Sequence, residues 1–349
     1  MIFFQQIIGI AMINFCMYSG LSLSTQSHTT NKLRLTSHLS AKSSYWKRLG
    51  EPKTVIAPMV AQSDLAFRRL VRNHGTDLAF TQMIHAHNFV SSKAFQDSYL
   101  DVYKDKESIV MTPSGINALD DLDWDDWKRN GLSDRDLGQK FLEQQGGELN
   151  RWSSYYESGP LVVQIAGHDP HTLSNAAKII LERTNSSTNK NNYEGPVSGI
   201  DVNCGCPQGI ARKGRYGAFL MEESLDTVCN IISRLRQDLP TNVGVSCKIR
   251  IPNEVGTPGG NAILKSRIER LIDAGCELIT VHGRTLKENK TAVRECNWDA
   301  IAQVVDIAKT YSGYDYPIIA NGGIEFSSDV SKCECYIPFY QIMGLHLTT

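Results

Sequence analysis

Beyond its N-terminal region the chain has no stretch of about eighteen unbroken apolar residues, so it is expected to be soluble and to have no membrane partner. It also lacks a charge of one sign. Lysine and arginine number 36 against 37 acidic residues, for a formal net charge of −1, which excludes a global basic field and confines any polyanion site to a local patch. A dense cysteine framework is missing too: nine cysteines spread from Cys16 to Cys335 exclude the small disulfide-stapled class and fit a reducing compartment. Residues 1–50 contain no Asp or Glu, carry Lys32, Arg34, Lys42, Lys47 and Arg48, and are rich in Ser and Thr after an apolar start. That composition reads as an organelle-targeting leader or a disordered extension, so the expected location is cytoplasmic or organellar.

What is present from residue 54 onward is an alternation of short apolar runs and amphipathic stretches. The predicted strands are 54–59 (TVIAPM), 77–83 (DLAFTQM), 160–167 (PLVVQIAG), 198–204 (SGIDVNC), 243–250 (VGVSCKIR), 276–283 (CELITVHG) and 316–323 (YPIIANGG). Apolar residues at three- and four-residue steps predict helices over 65–74, 171–183, 222–237, 262–274 and 298–310. Strands that are apolar along their length and joined by helical crossovers indicate a parallel sheet covered on both faces. An open doubly wound sheet collects functional residues at one switch point, whereas a closed barrel gathers every strand C-terminus around one mouth. Here nearly every strand ends in a polar or glycine-containing signature, and the reading is α/β, a (β/α)8 TIM barrel. The strand that would close it has no clear candidate after Gly323.

Residues 103–159 form a polar insertion much longer than an ordinary loop, and 184–195 a low-complexity surface loop. The acidic cluster Asp120, Asp121, Asp123, Asp125 and Asp126 is interleaved with Leu122, Trp124 and Trp127 and reads as a solvated helix start, not a metal site. No metal is expected elsewhere, since Cys204 and Cys206 have only Cys333 and Cys335 as a second close pair.

Cys206 either packs as a small buried side chain or serves as a reactive thiol. Its place after a strand end, between Gly205 and Pro207 at the mouth, favours the second. Lys248 and His282 end two further strands. Each either pairs with a carboxylate or meets an anionic ligand, and their shared location favours the ligand. Asn321, Gly322 and Gly323 supply small residues whose N–H groups can approach phosphate after the next strand. With Gln164 on another strand end, the set reads as a phosphorylated cofactor held across the barrel.

In order along the chain, APMV (57–60), VQIAG (163–167), DVNCGCPQGIARKGRYGAFLM (201–221), CKIR (247–250), VHGRT (281–285) and ANGGI (320–324) resemble the tRNA-dihydrouridine synthases. The run from Cys206 to Met221 is most similar to the eukaryotic branch that acts at positions 16 and 17 of the tRNA D loop. The likeness covers about residues 53–333, interrupted at 103–159, and the remaining 334–349 match nothing in the family pattern. It implies FMN, with Pro58, Met59 and Val60 under the flavin ring and Gln164 at its edge. Lys248 and His282 would hold ring and ribityl-phosphate oxygens, with Asn321, Gly322 and Gly323 near the phosphate. NADPH or NADH is the implied reductant and tRNA the implied partner of a monomer. Cys206 is then the candidate acid for C5 of a uracil; an ordinary cysteine thiol titrates near ~8.5 and is mostly protonated at neutral pH. Asn203 and Arg284 are candidates for the uracil edge, and Arg212, Lys213 and Arg215 for RNA backbone or base. The family pattern continues to an eighth strand and a helical domain, so the resemblance leads us to expect a barrel without its last β/α unit and without that domain. Two other readings stay open: a non-catalytic tRNA-binding remnant, and another flavin barrel acting on a small substrate.

Overall fold

The apolar runs do form parallel strands; all but one are shorter than the predicted stretch, and the fourth begins one residue earlier, at Val197. The structure is a computed structural model and describes residues 45–100, 102, 159–185, 193–289, 292–324, 329 and 341–344. These belong to one of the two compact units into which the chain divides, Met1–Val102 with Ser158–Thr349; the other, Tyr103–Glu157, and with it the acidic cluster at 120–126, lies outside the described residues.

The strands are β1 (Thr54–Ile56), β2 (Leu78–Phe80), β3 (Ile84–His85), β4 (Leu161–Ala166), β5 (Val197–Cys204), β6 (Gly244–Arg250), β7 (Leu278–His282), β8 (Ile318–Asn321) and β9 (Gln341–Gly344). All pairings are parallel. β4 to β9 follow one another in order, β9 pairs β1, β1 pairs β2, and β2 returns to β4, which closes a ring of eight; β3 is a short addition on β4. The expectation of a barrel missing its last strand is therefore corrected: β9 sits between β1 and β8. Four residues are too few for a readable alternation, and what selects them is the pair of backbone edges that β1 and β8 would otherwise leave open.

The helices are α1 (Leu65–Asn73), α2 (Ala86–Ser91), α3 (Lys93–Tyr99), α4 (Pro170–Thr184), α5 (Gly209–Lys213), α6 (Ala218–Glu223), α7 (Leu225–Asp238), α8 (Pro258–Asp273) and α9 (Trp298–Ser312). Side-chain caps start four of the five longest, α7 being the exception, and satisfy orphan N–H groups: Asp64 accepts from Phe67 N–H, Asp169 from Thr172, Thr257 from Gly260 and Asn297 from Ala300. The single helix predicted over 222–237 is two, broken at Ser224, which caps α6 and leads into α7.

Two apolar layers result. The outer one lies between sheet and helices, where Ile200, Val202, Val245, Cys247, Ile279 and Val281 meet Leu173, Ile231, Leu264 and Val304. The inner one fills the foot of the barrel with Val55, Leu78, Phe80, Val162, Leu278 and Ile319, plugged by Tyr45 against Gly199 and Gly244. Tyr45 and Leu49 are buried, so the fold includes residues that the composition of 1–50 assigned to a leader; residues 1–44 lie outside the described part.

Candidate active site

Above the apolar foot, alternate positions of β4 to β8 switch to polar residues, and the strand register sorts them into rows. Gln164 pairs with Asp201 and Asp201 with Ser246. One row nearer the mouth, Asn203 pairs with Lys248 and Lys248 with Thr280. At the rim, Arg250 pairs with His282 and His282 with Asn321. A parallel barrel points the C-terminal ends of all its strands one way, so these rows share one basin.

The first row is a continuous hydrogen-bond relay. Ser246 Oγ donates to Asp201 Oδ1 at 2.7 Å, Gln164 Nε2 donates to Asp201 Oδ2 at 2.8 Å, and Asn203 Nδ2 donates to Gln164 Oε1 at 2.8 Å. Asn203 Oδ1 then accepts from the backbone N–H groups of Gly205 at 3.2 Å and Cys206 at 3.0 Å. Asp201 is fully buried. Desolvation pushes its carboxyl up to about 6, against the opposing effect of the Ser246 and Gln164 hydrogen bonds and the Lys248 charge.

Cys206 is free and half-buried at the lip of the basin. It packs with Met83 and Phe219 against a small buried cluster of Ala166, Ala211 and Tyr216, and the His85 ring meets Tyr216 edge-on at 5.4 Å. Burial raises the Tyr216 phenol, with the nearby Cys206 adding to it. The chain returns from α5 through Gly217, at φ +70°, where a Cβ would stand 2.6 Å from the Cys206 carbonyl oxygen. That carbonyl accepts from Ala218 N–H at 3.0 Å, so both sides of the Cys206 backbone are tied.

Lys248 is part-buried. Desolvation, then the Arg250 charge, lowers its ammonium to about 8, with Asp201 and Cys206 pulling the other way. Arg250 is buried and serves as a strut: its Nε donates to the Gly205 carbonyl at 2.8 Å and its Nη1 to the Thr285 carbonyl at 2.9 Å, joining the loop after β5 to the loop after β7. Burial first, then Arg284, lowers its guanidinium to about 10.

The basin fits a phosphorylated flavin by three observations. Thr280 Oγ1 and Asn321 Oδ1 are buried without a hydrogen-bond partner among the described residues, so the wall between β7 and β8 is built with polar atoms to spare. Gly322, at φ +99°, lies against His282, where a Cβ would stand 2.7 Å from Nε2 and crowd the ring. Lys248 brings a desolvated cation toward the same wall, a placement an anionic group would offset.

The residues singled out from sequence are distributed unevenly around this basin. Cys206, Asn203, Lys248, His282 and Asn321 stand at the strand ends; Pro58 and Met59 are half-buried in the loop after β1, and Val60 is 60% exposed at the rim. Met59 N–H donates to Ser63 Oγ, which donates in turn to the Ala57 carbonyl, so that loop is held rigidly. Gln164 is fully buried with both ends of its amide engaged, and Asn203 spends its amide on Gln164 and the cysteine loop. Arg284 is buried and turned onto its own loop, its Nε donating to the Arg294 carbonyl at 2.7 Å, so it does not stand on the open surface. Arg212, Lys213 and Arg215 are exposed on and just after α5, with Arg212 at 5.8 Å from the Phe219 ring centroid. Sequence reading missed Asp201, Ser246, Thr280 and Arg250. The one signal that marks them is a polar side chain at alternate positions of otherwise apolar strands.

Among the described residues there is no group of three or more His, Cys, Asp or Glu able to hold a metal ion, and no helix is long and apolar enough to cross a membrane. Residues 55–112 and 138–343 match the model of the family described as dihydrouridine synthase (Dus). A tRNA-dihydrouridine(16/17) synthase [NAD(P)(+)] of Saccharomyces cerevisiae is 30% identical over 297 residues, 85% of this chain and 52% of that protein. A tRNA-dihydrouridine(16/17) synthase [NAD(P)(+)]-like protein of Rattus norvegicus is 30% identical over 292 residues, 83% and 48% of the two chains. A tRNA-dihydrouridine(20a/20b) synthase [NAD(P)+]-like protein of Homo sapiens is 30% identical over 279 residues, 79% and 62%. The chain spans about half the length of the 16/17 relatives it matches.

Proposed function

The chain belongs to the dihydrouridine synthase family, and from that premise we propose that it reduces uridine to 5,6-dihydrouridine in the tRNA D loop, with FMN as cofactor and NADPH or NADH as reductant. The positions we assign are 16 and 17, after the relatives named for them. The observation that carries the reading is a half-buried thiol, Cys206, on the rim of a basin whose next three strands, β6 to β8, hold Lys248, Thr280, His282 and Asn321.

Bound FMN would supply the hydride that adds to C6 of the uracil ring, the electron pair coming from the nicotinamide. Lys248, His282, Thr280, Asn321, Gly322 and Gly323, with Pro58 and Met59, are the residues that would hold it. The chain's own chemical task is the proton. Adding hydride at C6 leaves charge at C5 conjugated to a carbonyl, and protonation there completes the saturated C5–C6 bond; Cys206 is placed to give that proton and to recover one from solvent through its open side. Asn203 and Gln164 fix the loop that carries it, and Arg250 and Arg284 fix the loops around it.

A uracil inside folded tRNA reaches such a basin only when turned out of its stack. Arg212, Lys213 and Arg215, exposed immediately after the cysteine loop, supply the local positive patch that the net charge of the whole chain does not, and we assign them to the RNA backbone. The deciding experiment incubates the purified flavoprotein with unmodified tRNA and NADPH and maps dihydrouridine. Product at positions 16 and 17 is expected; product at 20a or 20b would move the chain to the other branch, and a yellow protein that forms none would overturn the activity.

A further inference from the structure

The relay that ends on the cysteine loop begins on a buried carboxylate that touches neither the loop nor the mouth. Asp201 is fully buried on β5, two residues before Asn203, and the two meet only through Gln164 of the neighbouring strand. A carboxylate accepts and a glutamine amide has one donating and one accepting end. Facing Asp201 with its NH2, Gln164 must therefore present its oxygen to Asn203; Asn203 must answer with its own NH2, which leaves its oxygen for the N–H groups of Gly205 and Cys206. Gln164 N–H is held as well, donating to Thr81 Oγ1 at 3.2 Å, so the strand that carries the middle member is fixed.

We propose that Asp201 is a positioning residue for Cys206: the acceptor it places inside the barrel sets the direction of the Gln164 and Asn203 amides, and thereby holds the backbone N–H groups that seat the thiol. Its catalytic consequence rests on the dihydrouridine synthase reading; the hydrogen-bond order itself does not.

The directionality gives a test by suppression. Asn203→Asp puts a carboxylate at each end of Gln164, and no rotation of a single amide serves both. Adding Asp201→Asn lets the whole relay reverse: the new amide at position 201 donates to Gln164, Gln164 donates to the new carboxylate at position 203, and that carboxylate still accepts from the loop. At pH 8 the N203D variant should melt several degrees below wild type, and D201N/N203D should recover at least half of that loss. No recovery would overturn the relay. A second variant reads its role. Asp201→Leu removes the acceptor and leaves the Gln164 amide and the Ser246 hydroxyl buried without it, so the melting temperature should fall. Amide exchange of the peptide holding Gly205 and Cys206 should quicken at least tenfold more than that of the rest of the barrel. FMN affinity should stay within about threefold, while kcat for dihydrouridine falls at least tenfold and KM for tRNA changes by less than about threefold. Wild-type exchange together with wild-type kcat in D201L would overturn the proposal. If the wild-type protein makes no dihydrouridine, the functional reading fails, and the exchange and melting results still decide the relay.

Discussion

Cys206 N–H donates to Asn203 Oδ1 at 3.0 Å, so the backbone beneath the thiol is held by the side chain three residues before it on the same strand end. The bond closes a tight turn out of β5, and Arg250 clamps the Gly205 carbonyl from the other side. Under the proposed function, a thiol on a loop fixed from both directions would meet the uracil at one place, as a general acid must.

Gly217 stands against this loop, and Gly217→Ala should show it. The position has φ +70° and its Cβ would meet the Cys206 carbonyl oxygen at 2.6 Å. The variant should lose about 1–3 kcal/mol of stability and move the thiol, reducing dihydrouridine formation by more than the fraction unfolded. Denaturation and kinetics on one preparation check this.

Asp201 should make stability depend on pH in the direction opposite to an ordinary carboxylate. Its folded value, about 6, lies above the ordinary value of 3.8, so the folded chain binds the proton more tightly than the unfolded one. Its contribution is fully present below about pH 4 and is lost as pH rises through about 6, by up to roughly 3 kcal/mol. Asp201→Asn removes the titration. The stability of wild type relative to D201N should therefore fall as pH is raised from 4 to 7, measured by chemical denaturation at each pH; a difference independent of pH contradicts the burial argument.

The barrel was legible in the sequence because its strands are apolar on both faces: β4 has all six residues buried, and the run 160–167 reads as a strand without any structural help. β9 was not legible, since a four-residue strand without alternation is defined by the edges it joins. The site divides the same way. Cys206, Lys248 and His282 are conspicuous because each lies within two residues of a strand's C-terminal end. Asp201, Ser246 and Thr280 sit inside strands, where one polar residue among apolar ones reads as a half-exposed position; only the register sets Asp201 beside Ser246 and Thr280 beside Lys248. Arg284 shows the same limit: its motif marks the loop after β7, and only the structure shows its Nε donating to the Arg294 carbonyl.

Lys248 separates stability from binding. Its ammonium is desolvated, which lowers it to about 8, so the cation costs the unliganded fold. Lys248→Met should raise or preserve the melting temperature of the FMN-free protein and weaken FMN binding at least tenfold, followed by flavin fluorescence. A variant that melts lower and binds FMN normally would remove Lys248 from the cofactor site.

Arg212 and Arg215 are exposed and follow the cysteine loop. Reversing both to Glu should weaken tRNA binding and flatten the plot of log K against log salt by about one unit or more, as phosphate contacts are lost. Unchanged affinity at low salt would take α5 off the RNA interface.

The most direct measurement is single-turnover reduction of unmodified tRNA by pre-reduced Cys206→Ala. The variant is predicted to retain its yellow FMN and its tRNA affinity while dihydrouridine formation slows at least ~100-fold, the range for loss of a general acid. Formation at the wild-type rate by a variant with FMN bound would contradict the assignment of Cys206 as the proton donor.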